Sequence, residues 1–187
     1  MLAAPSIQTS STPISNLELA HDHAIHANVK VFFPEGQQED QSPVFSRNEL
    51  FIAAPSGKVW SCLVRAKNWP QWYGNAKDVE IDGDGDQLRL GTCFHWTTFG
   101  IRAHTTITEF VPNERLSWRG KGLGATAYHG WVVRACEGGC YVVTEETQQG
   151  FVVSLARNLL RRGLLKWHQR WLEGLARVAA MPNVAIE

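Results

Sequence analysis

The sequence has no excess of charge of one sign and no long apolar run. Its 187 residues contain 18 Lys and Arg against 18 Asp and Glu, so the formal net charge is zero. Non-specific nucleic-acid binding depends on an excess of positive charge, so we expect no nucleic-acid partner. A membrane-spanning helix needs about 18 apolar residues, far more than any run here. The N-terminus has no basic stretch followed by an apolar one, which predicts a cytoplasmic protein.

The four cysteines do not form a zinc-binding pattern, which needs two closely spaced pairs of ligands. Only Cys136 and Cys140 are close, and the Gly138–Gly139 pair between them predicts a hairpin turn. Because no secretory signal is recognised, we expect these thiols to be reduced. Cys62 and Cys93 are typical of small buried apolar residues.

Common catalytic and cofactor motifs are also missing. The sequence has no G-x-S-x-G, no H-E-x-x-H and no Walker sequence, which argues against a classical hydrolase or ATPase. Three acids within Asp82–Asp86 begin like a calcium loop, but Gln87 and Cys93 occupy the positions that need Gly and Glu. The glycines of Gly120–Gly124 precede a strand, not the helix that a dinucleotide loop requires. We therefore predict no cofactor and no metal.

Residues 1–44 differ from the rest of the chain. They are rich in Ser, Thr, Pro and acidic residues, which predicts a polar, partly ordered extension. It contains a short helix candidate near Asn16–His26 and an extended candidate near Val29–Phe33. Its three histidines suggest a metal site, but no carboxylate or Cys is placed to complete one. These histidines are His21, His23 and His26.

From about Ser46 the pattern becomes one of short alternating segments followed by a long periodic one. Pro55 suits the first turn of a helix that continues over Gly57–Val64, and Trp69–Trp72 forms a second short helix. Apolar residues at steps of three and four predict a long helix over Val152–Ala180. The predicted strands are Ser46–Ala53, Asp78–Asp82, Arg89–Phe99, Arg102–Val111, Arg115–Gly120, Thr126–Ala135 and Tyr141–Gln148.

This order predicts an α+β fold with an internal space. A long amphipathic helix that follows a curved antiparallel sheet buries its apolar stripe against the concave face. Sheet and helix then enclose a cavity suited to a small apolar ligand.

Several short motifs in this order resemble the START-like, polyketide cyclase/dehydrase superfamily, often called SRPBCC. The resemblance covers about residues 46–181 and implies the helix-grip fold, in which about seven antiparallel strands wrap around the C-terminal helix and a hydrophobic cavity. We therefore expect a ligand-binding domain over residues 45–182 and a tail over 183–187. Relatives include lipid carriers, cyclases, aromatases, hormone receptors and chaperone activators, so the ligand stays open. The motifs are Phe51–Pro55 with Val59–Trp60, Trp69–Trp72, Ile107–Glu109 with Pro112, Leu116–Trp118, His129–Trp131, Gly138–Gly139, Val142–Thr147, and Trp171–Leu172 with Leu175.

Side-chain alternation along the strands predicts which residues face this cavity. For the strand over residues 102–111 the pattern allows either face, Ala103-Thr105-Ile107 or His104-Thr106-Thr108. The predicted ligand-binding residues are Trp72, Phe94, Trp96, Trp118, His129, Trp131, Glu146, Leu164, His168 and Trp171.

His129, His168 and Glu146 are the polar candidates for the cavity. A buried carboxyl group beside imidazoles can perform acid–base chemistry on a polyketide-like carbonyl, or hold one polar end of a ligand. The same residues can also be hydrogen-bonded core residues without a further role. The leading hypothesis is a binding protein for a small hydrophobic molecule. The alternatives are a cyclase or dehydratase and a protein-interaction module.

The last helix carries six bases and one acid, Glu173. Three interpretations remain open: a solvated outer face, a surface that docks on an anionic membrane or an acidic partner, or a surface covered by the acidic extension. The oligomeric state is not predicted. The bases are Arg157, Arg161, Arg162, Lys166, Arg170 and Arg177.

Overall fold

Seven antiparallel strands form one sheet in the computed structural model, which describes residues 29–182. The strands lie in the order β1-β7-β6-β5-β4-β3-β2, so the first strand joins the sheet beside the last. The predicted helix-grip architecture is confirmed. The strands are β1 (Val44–Ile52), β2 (Lys77–Ile81), β3 (Cys93–Thr98), β4 (Ile101–Val111), β5 (Arg115–Gly122), β6 (Ala125–Cys136) and β7 (Gly139–Gln149).

The helices occupy two stretches of chain, one after β1 and one after β7. Pro55 immediately precedes the first helix, where a residue without an amide hydrogen costs little. Within residues 29–182, no helix is both long and apolar enough to cross a membrane. The helices are α1 (Ser56–Val64), α2 (Trp69–Trp72), α3 (Phe151–Leu155) and α4 (Arg157–Ala180), with short 3-10 turns at Glu39–Gln41 and Ala66–Asn68.

Two predicted elements were wrong in their extent. The strand predicted from Arg89 begins only at Cys93, because the Thr92 amide bonds the Arg89 carbonyl in a turn. The helix predicted as one piece over Val152–Ala180 is interrupted at Ala156, where φ is −103° and ψ is 15°. Apolar periodicity runs through this residue and therefore cannot reveal the break.

Aromatic rings fill the core between α4 and the sheet. Trp69 is fully buried, and its ring centroid lies 5.1–5.8 Å from those of four aromatic residues. Burial of such side chains contributes about 2–3 kcal/mol each. Gly174 lets α4 approach α2 closely, since a Cβ there would lie 2.5 Å from the Trp72 carbonyl oxygen. The four contact partners of Trp69 are Phe94, Trp96, Trp118 and Trp171.

The β6–β7 hairpin holds Cys136 and Cys140 as predicted. The register pairs Ala135 with Cys140 and Cys136 with Gly139. The two cysteine side chains therefore point to opposite faces of the sheet, a geometry that does not favour a disulfide between them.

Residues Val29–Phe33, which we call the N-terminal strap, lie on the outer face of the sheet. The Val31 amide donates to Glu145 Oε2 at 3.0 Å, and Arg47 donates to the Val29 carbonyl at 2.8 Å while also pairing with Glu145. Val31 is buried, and it fits against Gly130 because a Cβ at that glycine would lie only 2.2 Å from Val31 Cγ1.

The strap lies on the face of the sheet opposite to α4. The strap itself, which contains no acidic residue, therefore does not cover the basic face of α4, and the interpretation in which the acidic extension covers that face stays a prediction. The helix candidate at Asn16–His26 lies outside the described residues, as do the three histidines of the extension, His21, His23 and His26.

Candidate functional site

A cavity of about 340 Å³ lies between α4 and the inner face of the sheet. Its wall is mostly apolar, which suits a small hydrophobic molecule. Seven of the ten predicted ligand-binding residues line it: Trp96, Trp118, His129, Glu146, Leu164, His168 and Trp171.

The other three predicted residues, Trp72, Phe94 and Trp131, pack in the core instead. Phe94 and Trp131 point to the inner face as alternation predicts, and both are fully buried. Side-chain alternation predicts which face of the sheet a residue occupies, but not how far along the strand the cavity begins. The packed core and the cavity lie on the same face, so alternation cannot tell them apart. Trp72, the third of them, contacts α4 at Gly174 instead of lining the cavity.

The wall also contains residues outside the predicted set, and three of them lie on elements already described. Tyr73 follows the Trp69–Trp72 helix directly, and Trp167 lies one turn before Trp171 on α4. Thr105 belongs to the strand whose phase stayed open, and the structure places Ala103 and Thr105 on the inner face. Helical spacing from Leu164 and Trp171 was the one sequence signal that could have indicated Trp167.

The polar residues of the site lie in one row that crosses neighbouring strands of the sheet. The register aligns Ser46 of β1 with Glu146 of β7, Glu146 with His129 of β6, and His129 with Trp118 of β5. These residues therefore lie on the same face of neighbouring strands. His168 reaches this row from α4, and its ring stacks on His129 with centroids 4.6 Å apart.

Both imidazoles bind the same carboxylate oxygen. Glu146 Oε2 lies 3.0 Å from His129 Nδ1 and 3.2 Å from His168 Nε2, and its Oε1 accepts a hydrogen bond from Gln148. The remaining ring nitrogens are also occupied. His129 Nε2 lies 2.7 Å from Thr144 Oγ1.

On the second imidazole, His168 Nδ1 lies 3.2 Å from the hydroxyl oxygen of Ser46. All four ring nitrogens of the two imidazoles therefore have hydrogen-bond partners within the protein. These bonds fix the orientation of both rings and leave little hydrogen-bonding capacity for a ligand.

Two residues that line the cavity carry a hydrogen-bond donor without an acceptor among residues 29–182. The Trp171 indole N–H is buried without a partner. The Tyr73 hydroxyl accepts from Asn75 at 3.1 Å, and its own hydrogen meets no described acceptor. The two rings stack with centroids 4.3 Å apart. The Trp171 nitrogen itself is inaccessible to solvent, although other atoms of this residue line the cavity.

Burial and mutual contact shift the pKa values of the cluster. Burial lowers the pKa of His129 to about 4, although the neighbouring Glu146 acts in the opposite direction. For Glu146, burial raises the pKa, but the charges and hydrogen bonds of the two imidazoles outweigh it and hold the pKa well below its usual range. The Glu146 carboxyl group is therefore ionised at neutral pH.

His129, Glu146 and His168 are also the one group of this kind in the described chain that could hold a metal ion. One donor atom from each lies within 4.8 Å of the others. The hydrogen bonds described above already account for this arrangement, so the geometry does not call for a metal. The absence of a metal stays a prediction.

The chain was compared with models of known protein families. The family model described as "Polyketide cyclase / dehydrase and lipid transport" matches residues 47–180. The chain belongs to this family. The comparison with curated proteins returned no match.

Solved structures similar to this polyketide cyclase/dehydrase family member support its fold. Hypothetical protein jhp0584 from Helicobacter pylori is 25% identical, with a TM-score of 0.75, over 81% of this chain and 96% of that one. TTHA0849 from Thermus thermophilus is 18% identical, with a TM-score of 0.61, over 72% of this chain and 96% of that one.

A third similar structure is a two-domain protein of a biosynthetic pathway. The di-domain ARO/CYC protein StfQ from the steffimycin biosynthetic pathway is 16% identical, with a TM-score of 0.58. The match covers 73% of this chain and 50% of that protein. At this identity the likeness supports the fold alone, so the function of this family member has to be argued from its own cavity.

Proposed function

We propose that the protein binds a small, neutral, hydrophobic molecule with an acceptor oxygen, held in the cavity between the sheet and α4. The observation that carries the proposal is the cavity of about 340 Å³ itself, whose wall is mostly apolar and aromatic. The Tyr73 hydroxyl, whose hydrogen meets no described acceptor, offers one donor to a ligand carbonyl or ether oxygen.

The electrostatics of the wall support a neutral ligand. The Glu146 carboxylate is buried at the cavity wall, and an anionic ligand beside it would be repelled. Glu146 is already bonded by two imidazoles and by Gln148, so it offers little to a ligand donor. The aromatic wall supplies most of the binding energy through burial of the ligand's apolar surface.

The first experiment is native mass spectrometry of gently purified protein, followed by denaturing extraction of any bound molecule. We expect a neutral apolar compound at one equivalent per chain. An apo mass, together with no displacement of a neutral apolar dye by any tested lipid or polyketide, would contradict the proposal.

A pair of probes then tests the role of the Tyr73 hydroxyl. 2-Acetylnaphthalene has an acceptor oxygen, and 2-ethylnaphthalene has nearly the same shape without one. We expect Tyr73→Phe to weaken binding of the ketone about 3- to 10-fold and to leave the hydrocarbon nearly unchanged. The matched control is Tyr128→Phe, which removes a hydroxyl from a residue that does not line the cavity. Equal losses in both variants would contradict this assignment.

Acid–base catalysis is the second candidate function. It is supported by three titratable side chains at the cavity wall, two with shifted pKa values, because such shifts cluster at active sites. Against it, both nitrogens of each imidazole are already bonded within the protein. If the protein cyclises or dehydrates an aromatic polyketide precursor, His129→Ala and Glu146→Gln should each lower kcat by at least 100-fold. Unchanged turnover in both variants would exclude these residues as the acid and base.

The partner in this proposal is the small molecule itself. A cytoplasmic location stays a prediction from the sequence.

A further inference from the structure

Two hairpin turns at the mouth of the cavity carry large apolar residues at strained positions. Phe99 has a φ of 50° and Leu123 a φ of 45°, and each precedes a glycine that also has positive φ. Two-residue turns of this type favour Asn, Asp or Gly at that position, and bulky residues are rare there. The turn at the other end of β4 follows the rule, with Asn113 at a φ of 63°.

These turn residues gain little from packing, since Leu123 is 72% exposed and Phe99 is 41% exposed. Four further apolar side chains are exposed on α3 and at the start of α4. Within α3, Val153 is the one buried residue. Continuous apolar surface of this kind is typical of an interaction site. We call the six residues the mouth patch: Phe99, Leu123, Phe151, Val152, Leu155 and Leu159.

Basic side chains border the mouth patch. Leu159, Arg162 and Lys166 follow one another at helical steps of three and four, so they share a stripe of α4. Lys121 lines the opposite side of the same opening, next to the Leu123 turn. Residues 147–172 contain no Asp or Glu at all.

We propose that the mouth patch docks on the surface of an anionic lipid bilayer, with the cavity opening toward the membrane. Apolar residues at two turn tips and on a short helix can enter the interface together, while Arg162, Lys166 and Lys121 meet lipid phosphates. The chain has zero formal net charge, so its attraction to anionic lipid has to come from this local arrangement.

The arrangement of apolar and basic residues around the opening favours a bilayer over a protein partner. An apolar patch with bases on two sides of the opening matches the layered chemistry of an acyl region beneath anionic headgroups. The inference goes beyond the proposed function. Ligand binding in lipid-free solution tests the cavity separately, so either idea can fail alone.

The test is flotation of the full-length protein with vesicles of phosphatidylcholine, with or without 30% phosphatidylglycerol. We expect at least tenfold stronger partition into the anionic vesicles, reduced at high salt. The key variant is Phe99→Asn with Leu123→Asn. It should fold at least as well, because Asn suits both turns, and should bind anionic vesicles at least tenfold more weakly.

Charge is tested in a second pair of variants. Arg162→Gln with Lys166→Gln should weaken partition about 30-fold, from about fivefold per base. The matched control, Arg119→Gln with Arg134→Gln, removes two exposed bases that do not line the opening and should change little. Leu90→Asn, at an exposed leucine lining a different depression, is the apolar control.

Three results would overturn the inference. One is partition no stronger to anionic vesicles than to neutral ones. Another is an equal loss in the control variants, which would show non-specific attraction. The third is a dimer in sedimentation that dissociates on Phe99→Asn with Leu123→Asn, which would assign the patch to a second copy of the chain.

Discussion

Replacement of Gly130 by Ala should loosen the N-terminal strap from the sheet. The added Cβ would lie 2.2 Å from Val31 Cγ1 and 2.8 Å from Val31 Cγ2, closer than real Cβ contacts come. The strand cannot move away easily, because Gly130 is held between β5 and β7 by ladder hydrogen bonds. The strap therefore has to shift.

The structure sets the expected size of the effect. Displacing Val31 exposes a nearly buried side chain, at about 1.5–3 kcal/mol, and breaks its amide bond to the Glu145 carboxylate. Alanine gains about 0.5–1 kcal/mol over glycine in a strand, which offsets part of this loss. We expect Gly130→Ala to lower the free energy of unfolding by about 2 kcal/mol.

Val31→Ala provides the internal control. It removes both methyl groups that would collide, at a cost of about 1.5–2 kcal/mol. With those groups gone, the remaining close contact of the added Cβ is Ser117 Oγ at 3.0 Å, so Gly130→Ala should cost much less and the double variant should be close in stability to Val31→Ala alone. Urea unfolding at about 25 °C, followed by tryptophan fluorescence, measures all four proteins. A double variant whose loss equals the sum of the single losses would refute the steric reasoning, and a neutral Gly130→Ala would show that the strap is not docked in solution.

Two other predictions follow from buried contacts. Because burial lowers the pKa of His129 to about 4, the unfolded chain binds a proton that the folded protein does not, and stability should fall by about 3 kcal/mol as the pH drops from about 6.5 to 4. His129→Gln should flatten this slope in urea titrations, while the stability contributed by Glu146, whose pKa is lowered, should be lost only at more acidic pH. Gly174→Ala would place a Cβ 2.5 Å from the Trp72 carbonyl oxygen and should lower the Tm by about 4–8 °C in calorimetry. Gly163→Ala on the same helix has room at 3.8 Å and should leave the Tm unchanged or raise it, so similar losses in the two variants would contradict the packing argument.

Periodicity and turn residues predicted the order of strands and helices, and the family resemblance implied the helix-grip fold. The alternating apolar residues of β6 and β7 and the apolar stripe of α4 show which side of each element is buried. This information is contained in the local sequence of each element. The break at Ala156 escaped prediction because it depends on backbone dihedral angles that alanine does not signal. The docking of Val31 also escaped, because its partners Glu145 and Gly130 are about 100 residues away.

The candidate site was predictable in composition but not in detail. Period-two alternation placed His129 and Glu146 on the inner face, and helical spacing placed His168 opposite them. The cross-strand register that aligns His129, Glu146 and Ser46 depends on how the hairpin and the β1–β7 pairing close, which one strand's pattern does not contain. The free donors at Tyr73 and Trp171 depend on three-dimensional neighbours and could not be inferred from spacing.

The strap also bears on where the chain can be cut. The family-matched segment starts at residue 47, inside β1, and excludes the strap and the first residues of that strand. A fragment trimmed to that boundary would lose the amide that Glu145 binds and would open the groove at Gly130. Glu145 is next to the cavity residue Glu146 in the chain, and Gly130 is next to the cavity residue His129. Removal of the strap from the outer face of the sheet should therefore also disturb the cavity wall on the inner face. Domain-swap or minimal-fragment designs based on the family boundary should therefore begin no later than residue 29.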